Sequence, residues 1–178
     1  LPDGRGMPVA EGGIRLQDVA DGKHTLEELL AQLTNDELIT LVGGCPNAGV
    51  ANTAGIGGLE SHEIPAAMTA DGPAGLRLRP ELAEKTTAFP CAALLASSFD
   101  TELAEAFGRA VALEVKENHF GIWLAPALNI HRSPLDGRNF EYFSEDPLVS
   151  GKMAAALVRG AQSRGIAACV KHFALYGA

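Results

Sequence analysis

Four short apolar runs, Pro65–Ala70, Ala92–Ser97, Gly121–Leu128 and Ile166–Val170, do most to limit the folds open to this chain. None alternates apolar with polar residues, so each reads as a strand buried on both faces, the pattern of a parallel sheet. Helical signals fall between them. Asp100 is placed to cap a helix that faces inward through Leu103, Ala106, Phe107 and Ala110. Asp146 caps a second, with Pro147 at its first position and Leu148, Ala155 and Val158 facing inward. Strands alternating with helices, joined by right-handed crossovers, give an α/β architecture.

Upstream, Thr25 with Glu28 and Thr34 with Glu37 have capping-box spacing and predict two successive helices. Leu26, Leu29, Leu30 and Leu33 form the apolar stripe of the first; Leu38, Ile39 and Val42 form that of the second, which Gly43-Gly44 ends. Cys45–Glu63 is rich in Gly and Asn and reads as a long loop. Residues 1–24 read as a lead-in or linker, and 25–178 as the domain proper.

Two parallel solutions compete, an open doubly wound sheet and a closed barrel. No glycine-rich phosphate loop follows the first run, and Asp71 at its end would repel a phosphate. Polar residues cluster instead after the runs: Asp71 and Arg77, then Arg132 and Arg138, then Lys171 and His172. Functional groups at the C-terminal ends of several strands are what a (β/α)8 barrel provides. Such barrels take about 250 residues and eight strands, so the expected fold is about the first half of a TIM-like barrel. Half a barrel leaves two open sheet edges. The chain, which starts at Leu1 rather than Met, is therefore expected to belong to a longer polypeptide.

The net charge of −8 argues against nucleic acid or an anionic membrane surface as partner. No apolar run is long enough to span a bilayer, and Leu1–Gly13 has no apolar core of a signal peptide. Cys45, Cys91 and Cys169 lack metal-binding spacing and read as reduced thiols, so neither metal binding nor a disulfide framework is expected. A cytoplasmic setting fits these features.

Each candidate site residue has a plain alternative. Asp71 either closes a local turn or offers its two oxygens to adjacent hydroxyls of a ligand. Arg138, among Asp136, Glu141, Glu145 and Asp146, either sits in a structural ion-pair network or is aimed into a pocket by those acids. Glu141 and Asp146 read as orienting and capping groups. Lys171 and His172 would point to opposite faces of a regular strand, and share a pocket only if the strand ends or bulges there. A lysine directly after Ala-Ala-Cys-Val needs a partner if it is buried. His24, His62 and His119 read as surface or capping residues, His131 is ambiguous, and Trp123 reads as core.

The segments Thr69–Arg77, Phe89-Pro90, Leu94–Asp100, Ala125–Ile130, Gly137–Pro147 and Lys171-His172-Phe173, in that order, resemble glycoside hydrolase family 3, the β-glucosidase family. The likeness runs from about Thr25 to Ala178. It implies a (β/α)8-type barrel accompanied by an α/β sandwich domain, a β-linked glycoside substrate and no cofactor. The residues matching Asp71, Arg138, Lys171 and His172 hold the sugar in the −1 subsite, with Arg77 just behind. The family is retaining, which requires two carboxyl groups about 5–5.5 Å apart. Its Asp nucleophile lies beyond the position of Ala178 and its acid/base usually comes from the second domain, so no catalytic carboxylate is expected in this chain and the isolated chain is expected to be inactive. One branch of the family, cleaving N-acetylglucosaminides, continues Lys-His-Phe with Pro-Gly-His-Gly; here Ala174-Leu175-Tyr176-Gly177 follows. The text before Thr25 resembles members in which the sandwich domain precedes the barrel. β-Xylosidase or α-arabinofuranosidase activity with the same subsite, and a non-catalytic sugar-binding half-barrel, are the alternatives.

Overall fold

The computed structural model describes residues 13–81, 85–174 and 176. Residues 1–12 of the lead-in, and Leu175 and Gly177 of the segment after Lys171-His172-Phe173, lie outside those residues. The chain divides into two compact units. The first takes in the described residues up to Asn47 together with Ala54–Ala67; the second takes in Ala48–Thr53 and the residues from Met68 onward.

The first unit contains helices α1 (Leu16–Ala20), α2 (Leu26–Gln32) and α3 (Asn35–Gly43), and an antiparallel pair, β1 (Ile56–Leu59) and β2 (Ile64–Ala67), in which Ile56 faces Ala67. Both capping boxes form: Thr25 accepts from the Glu28 amide and Thr34 from the Glu37 amide, each acid reaching back to the cap residue. These bonds satisfy amides that the first helical turn leaves without a partner. The stretch read as lead-in carries α1. Three expectations are corrected. The stretch read as a long loop contains β1 and a 3₁₀ turn over Glu60–His62. The apolar stripe of α2 is narrower than the spacing implied, since Leu29 and Leu33 are buried while Leu26 and Leu30 are exposed; on α3, Ile39 and Val42 are exposed. His62 is a core residue rather than a surface one, donating from Nδ1 to the Ile14 carbonyl at 2.8 Å and facing Glu37 through Nε2 at 3.5 Å.

The second unit is built on a three-stranded parallel sheet, β3 (Thr69–Asp71), β4 (Ile122–Leu124) and β5 (Ala167–Ala168), in that order. Ala70 lies opposite Trp123, and Trp123 opposite Ala168. Trp123 is fully buried at the centre of this sheet, as its place in an apolar run implied. Two long helices, α5 (Thr101–Glu117) and α6 (Pro147–Gln162), begin at the expected caps. Asp100 accepts from the amides of Glu102 and Leu103 at 2.9 and 3.0 Å, and Asp146 from those of Leu148 and Val149 at 2.6 and 3.0 Å.

The run Ala92–Ser97 is helix α4 (Ala92–Ala96), not a strand. Its Ala-Ala-Leu-Leu-Ala sequence has no β-branched residue and consists of the strongest helix formers. A short apolar run cannot be assigned by periodicity alone. The inward faces of the long helices are also rotated from the expected ones. Ala104, Phe107, Gly108, Val111, Ala112 and Val115 are buried on α5, and Met153, Ala154, Ala156, Leu157, Gly160 and Ala161 on α6, whereas Leu103, Ala106, Ala110, Leu148 and Ala155 are exposed. Backbone proximity explains the rotation. A Cβ on Gly108 would collide with the Leu157 carbonyl, and one on Gly160 with the Glu105 carbonyl. Small residues thus select which faces meet, and the larger apolar side chains flank them.

Candidate functional site

The described polar cluster grows from the C-terminal ends of the three parallel strands. At the end of β3 the chain turns sharply: the Arg77 amide donates to the Asp71 carbonyl at 2.9 Å, and the Gly75 amide to the Gly72 carbonyl at 3.1 Å. The buried indole N–H of Trp123 donates to the same Gly72 carbonyl at 3.0 Å. A carbonyl has two acceptor sites, and here both are used. Gly72 has φ 120° and Gly75 φ 122°, conformations that side chains rarely adopt, so both turns require glycine. The turn is held by backbone and indole, which leaves the Asp71 carboxylate largely for other partners.

Its Oδ1 accepts from Lys171 Nζ at 2.6 Å, and Arg77 Nη1 stands 3.5 Å from Oδ2. The lysine that needed a partner on burial therefore has one. Burial alone would push the Asp71 carboxyl up, but the Lys171 hydrogen bond and charge, the Gly72 amide and the Arg77 charge outweigh it. The net result is a carboxyl held below its ordinary range. Arg77 is largely exposed and reaches Asp71 only at the limit of hydrogen bonding, which places it at the edge of the cluster.

Beyond β4 and β5 the parallel pairing continues irregularly. The Lys171 amide donates to the Pro126 carbonyl at 3.1 Å, and the Leu128 amide to the Lys171 carbonyl at 2.9 Å, a single bridge between Ala127 and Lys171. Regular strand structure has ended at Ala168, so alternation no longer governs the next side chains. Lys171 points to Asp71, and His172 points to Arg138 and Tyr142.

Arg138 sits just before a 3₁₀ turn over Asn139–Glu141. Its amide donates to Asp136 Oδ1 at 2.9 Å and its Nε to Glu141, so the acids around it do orient the guanidinium. Its carbon lies 4.7 Å from the centre of the Tyr176 ring. The Glu141 hydrogen bond first, and that of Tyr176 next, raise the guanidinium further above its already high range. Arg138 Nη2 lies 3.1 Å from His172 Nε2, and Tyr142 Oη lies 2.9 Å from His172 Nδ1. A guanidinium only donates, so Nε2 must accept, and the ring proton belongs on Nδ1, donated to the tyrosine oxygen. This is a neutral histidine. Burial, then the charges of Arg138 and Lys171, hold its pKa below the ordinary value, which agrees with the tautomer.

The structure thus brings Asp71, Lys171 and Arg77 into one cluster and Arg138 and His172 into another, joined through the Lys171–His172 peptide. Arg132 is exposed and stays outside both; it lines a groove of about 460 Å³ with Leu128, Asn129, Ile130 and Tyr176. His131 proves structural: its amide donates to the Ser144 carbonyl at 3.2 Å and its Nε2 lies 3.0 Å from the Tyr142 carbonyl, anchoring the loop that carries Arg138. Sequence reasoning missed Asn129, Tyr142 and Tyr176 as members of the cluster. Asn129 carried a signal, as the one polar residue where the apolar run of β4 ends; nothing marked Tyr176. Among the described residues no group of three His, Cys, Asp or Glu side chains is arranged to hold a metal ion, and no helix is long and apolar enough to cross a membrane.

Comparison with known proteins agrees with this architecture. The chain is 56% identical over 170 residues to beta-glucosidase A of Butyrivibrio fibrisolvens, covering 95% of this chain and 20% of that protein. It superposes on the crystal structure of a beta-glucosidase from Paenibacillus barengoltzii with a TM-score of 0.85 at 42% identity, covering 94% of this chain and 19% of that one. On beta-glucosidase 3B of Thermotoga neapolitana in complex with α-D-glucose the TM-score is 0.76 at 43% identity, covering 84% of this chain and 23% of that one. The chain spans about a fifth of the length of these relatives. Residues 55–178 match the family model described as the glycosyl hydrolase family 3 N terminal domain, and this chain belongs to that family.

Proposed function

We propose that this chain is about the first half of the (β/α)8 barrel of a retaining β-glucosidase. Asp71, Arg138, Lys171 and His172 hold the terminal sugar in the −1 subsite, and Arg77 supports Asp71 from behind. The nucleophile and the acid/base are supplied from outside these residues, by the remainder of the barrel and an α/β sandwich domain. Residues 1–24 serve as lead-in to a domain running over 25–178. The reading is carried by one observation, the paired Asp71–Lys171 carboxylate and ammonium next to the neutral His172 held by Arg138. Such a set offers donors and acceptors side by side, which is what adjacent sugar hydroxyls require. Family membership and the β-glucosidase activity that the relatives' names carry point the same way. The contribution of these groups to rate is positioning, since they grip a sugar on which other residues act.

The test is turnover of aryl β-glucoside and aryl β-xyloside by the longer protein, with and without Asp71→Ala. Glucoside should be preferred, and D71A should lower kcat/KM at least about 100-fold, the cost of a misplaced reacting centre. Preference for the pentoside would point to the xylosidase or arabinofuranosidase alternative. Sugar binding without turnover of either would point to a non-catalytic sugar-binding protein, and an unaffected D71A variant would remove Asp71 from the subsite.

A further inference from the structure

The parallel pairing between the segments that follow β4 and β5 stops at Lys171, because the next residue finds no backbone partner on the opposite segment. A side chain replaces it. The His172 amide donates to Asn129 Oδ1 at 2.6 Å, and Asn129 Nδ2 donates to the His172 carbonyl at 3.0 Å. One planar carboxamide therefore satisfies both polar groups of one residue's backbone. Only one orientation of the amide does so, with oxygen toward the N–H and nitrogen toward the carbonyl. No other side chain of this size can copy it: aspartate lacks the donor, leucine lacks both groups, and glutamine is a methylene longer.

We propose that Asn129 is a positioning residue of this site. Its carboxamide fixes the His172 backbone at the point where the strand ends, so that two residues adjacent in sequence direct their side chains to one place. From that fixed backbone the ring of His172 reaches both Arg138 at 3.1 Å and Tyr142 at 2.9 Å, and Lys171 reaches Asp71 at 2.6 Å. Asn129 acts through the backbone, and its importance for turnover rests on the reading of this cluster as a sugar subsite.

The experiment uses the longer protein as wild type, N129A, N129D, H172A and N129A/H172A. Turnover of an aryl β-glucoside is read together with the imidazole ¹⁵N shifts of histidine-labelled protein, the His172 signal being the one lost in H172A. N129A should lower kcat/KM about 10- to 100-fold. In the H172A background the same change should cost clearly less than in wild type, because of the two side chains that the clamp directs only Lys171 is left to position. N129D keeps the acceptor for the amide but sets an oxygen against the His172 carbonyl, and should fall between wild type and N129A. The His172 ring shifts should move in N129A while those of His24 and His119 stay in place. Wild-type turnover in N129D would overturn the two-bond clamp, and a full additive loss in the double variant would make Asn129 independent of His172. If H172A turns over normally, the sugar-subsite reading fails, yet the ring shifts still decide the positioning role: unmoved shifts in N129A overturn it, moved shifts uphold it.

Discussion

Replacing Lys171 with methionine should turn sugar binding by this site from nearly pH-independent into acid-sensitive. Lys171 Nζ lies 2.6 Å from Asp71 Oδ1, and the two side chains are only 16% and 23% exposed. Breaking a fully buried ion pair costs about 3–5 kcal/mol. Partial exposure lowers that, and the range for a hydrogen bond to a charged group, about 1.5–3 kcal/mol, fits this pair better. In an equilibrium constant this is roughly 10- to 150-fold. The sign follows from Asp71. With Lys171 present its carboxyl sits below the ordinary range, so it stays ionised, and its contribution to stability persists above the unfolded value of about 3.9 and is lost only as pH falls through the lower folded value. Without Lys171, burial acts upward against only the Gly72 amide and the Arg77 charge, so the carboxyl should protonate at higher pH than in wild type. Calorimetric titration of glucose into the longer protein between pH 4 and 8 should show nearly level affinity for wild type. For K171M it should show weaker binding that declines further as pH falls through the raised pKa. D71N/K171M should be weak and level. A K171M profile parallel to wild type, or an acid-sensitive D71N/K171M, would refute the assignment of the pH response to this pair.

Tyr142→Phe removes the acceptor for His172 Nδ1–H while keeping the buried ring, and should weaken glucose binding by about tenfold, equivalent to about one net hydrogen bond of 1–1.5 kcal/mol; the same titration at pH 7 checks it. Gly108→Ala places a methyl group against the Leu157 carbonyl and should destabilise the α5–α6 crossing by about 1–3 kcal/mol. Hydrogen exchange along α5 and α6 reads that loss, and unchanged protection would mean the helices can separate without penalty.

Much of the fold was legible in the sequence because local chemistry dictated it. Asp100, Asp146, Thr25 and Thr34 each cap the helix that their spacing implied, and the runs ending at Ala70, Leu128 and Val170 contribute parallel strands, although Pro65–Ala67 of the first belongs to the antiparallel β2. Where reading failed, distant partners decided. Nothing within Ala92–Ser97 distinguishes a buried helix from a buried strand. The inward face of α5 depends on Gly108 meeting the Leu157 carbonyl on α6, information that periodicity within α5 does not contain. Nothing near His62 in sequence marks it as core, because its two partners, Ile14 and Glu37, lie far away in the chain.

The site divides along the same line. Asp71, Arg138, Lys171 and His172 stand out because charged residues at the ends of apolar runs demand a reason. Asn129 and Tyr142 do not stand out, since a carboxamide and a phenol carry no charge to account for, yet Asn129 holds the His172 backbone and Tyr142 accepts its Nδ1 proton in the neutral state that Arg138 imposes. That state bears on ligand class. Lys171 and Arg77 share Asp71, and Arg138 is matched by Glu141, so every cation of the described cluster has an anionic partner. His172 adds no charge, because its Nε2 must accept from Arg138. What remains is a dense array of oriented donors and acceptors with little surplus positive charge. An anionic ligand such as a phosphate would have to displace Asp71 or Glu141 from their partners, at the cost of leaving a half-buried carboxylate unpaired. A neutral ligand with several adjacent hydroxyls would not, because each hydroxyl both donates and accepts and can join the existing pairs without breaking them. The pairing of charges, more than the presence of any one of them, is what favours the proposed sugar over an anionic ligand.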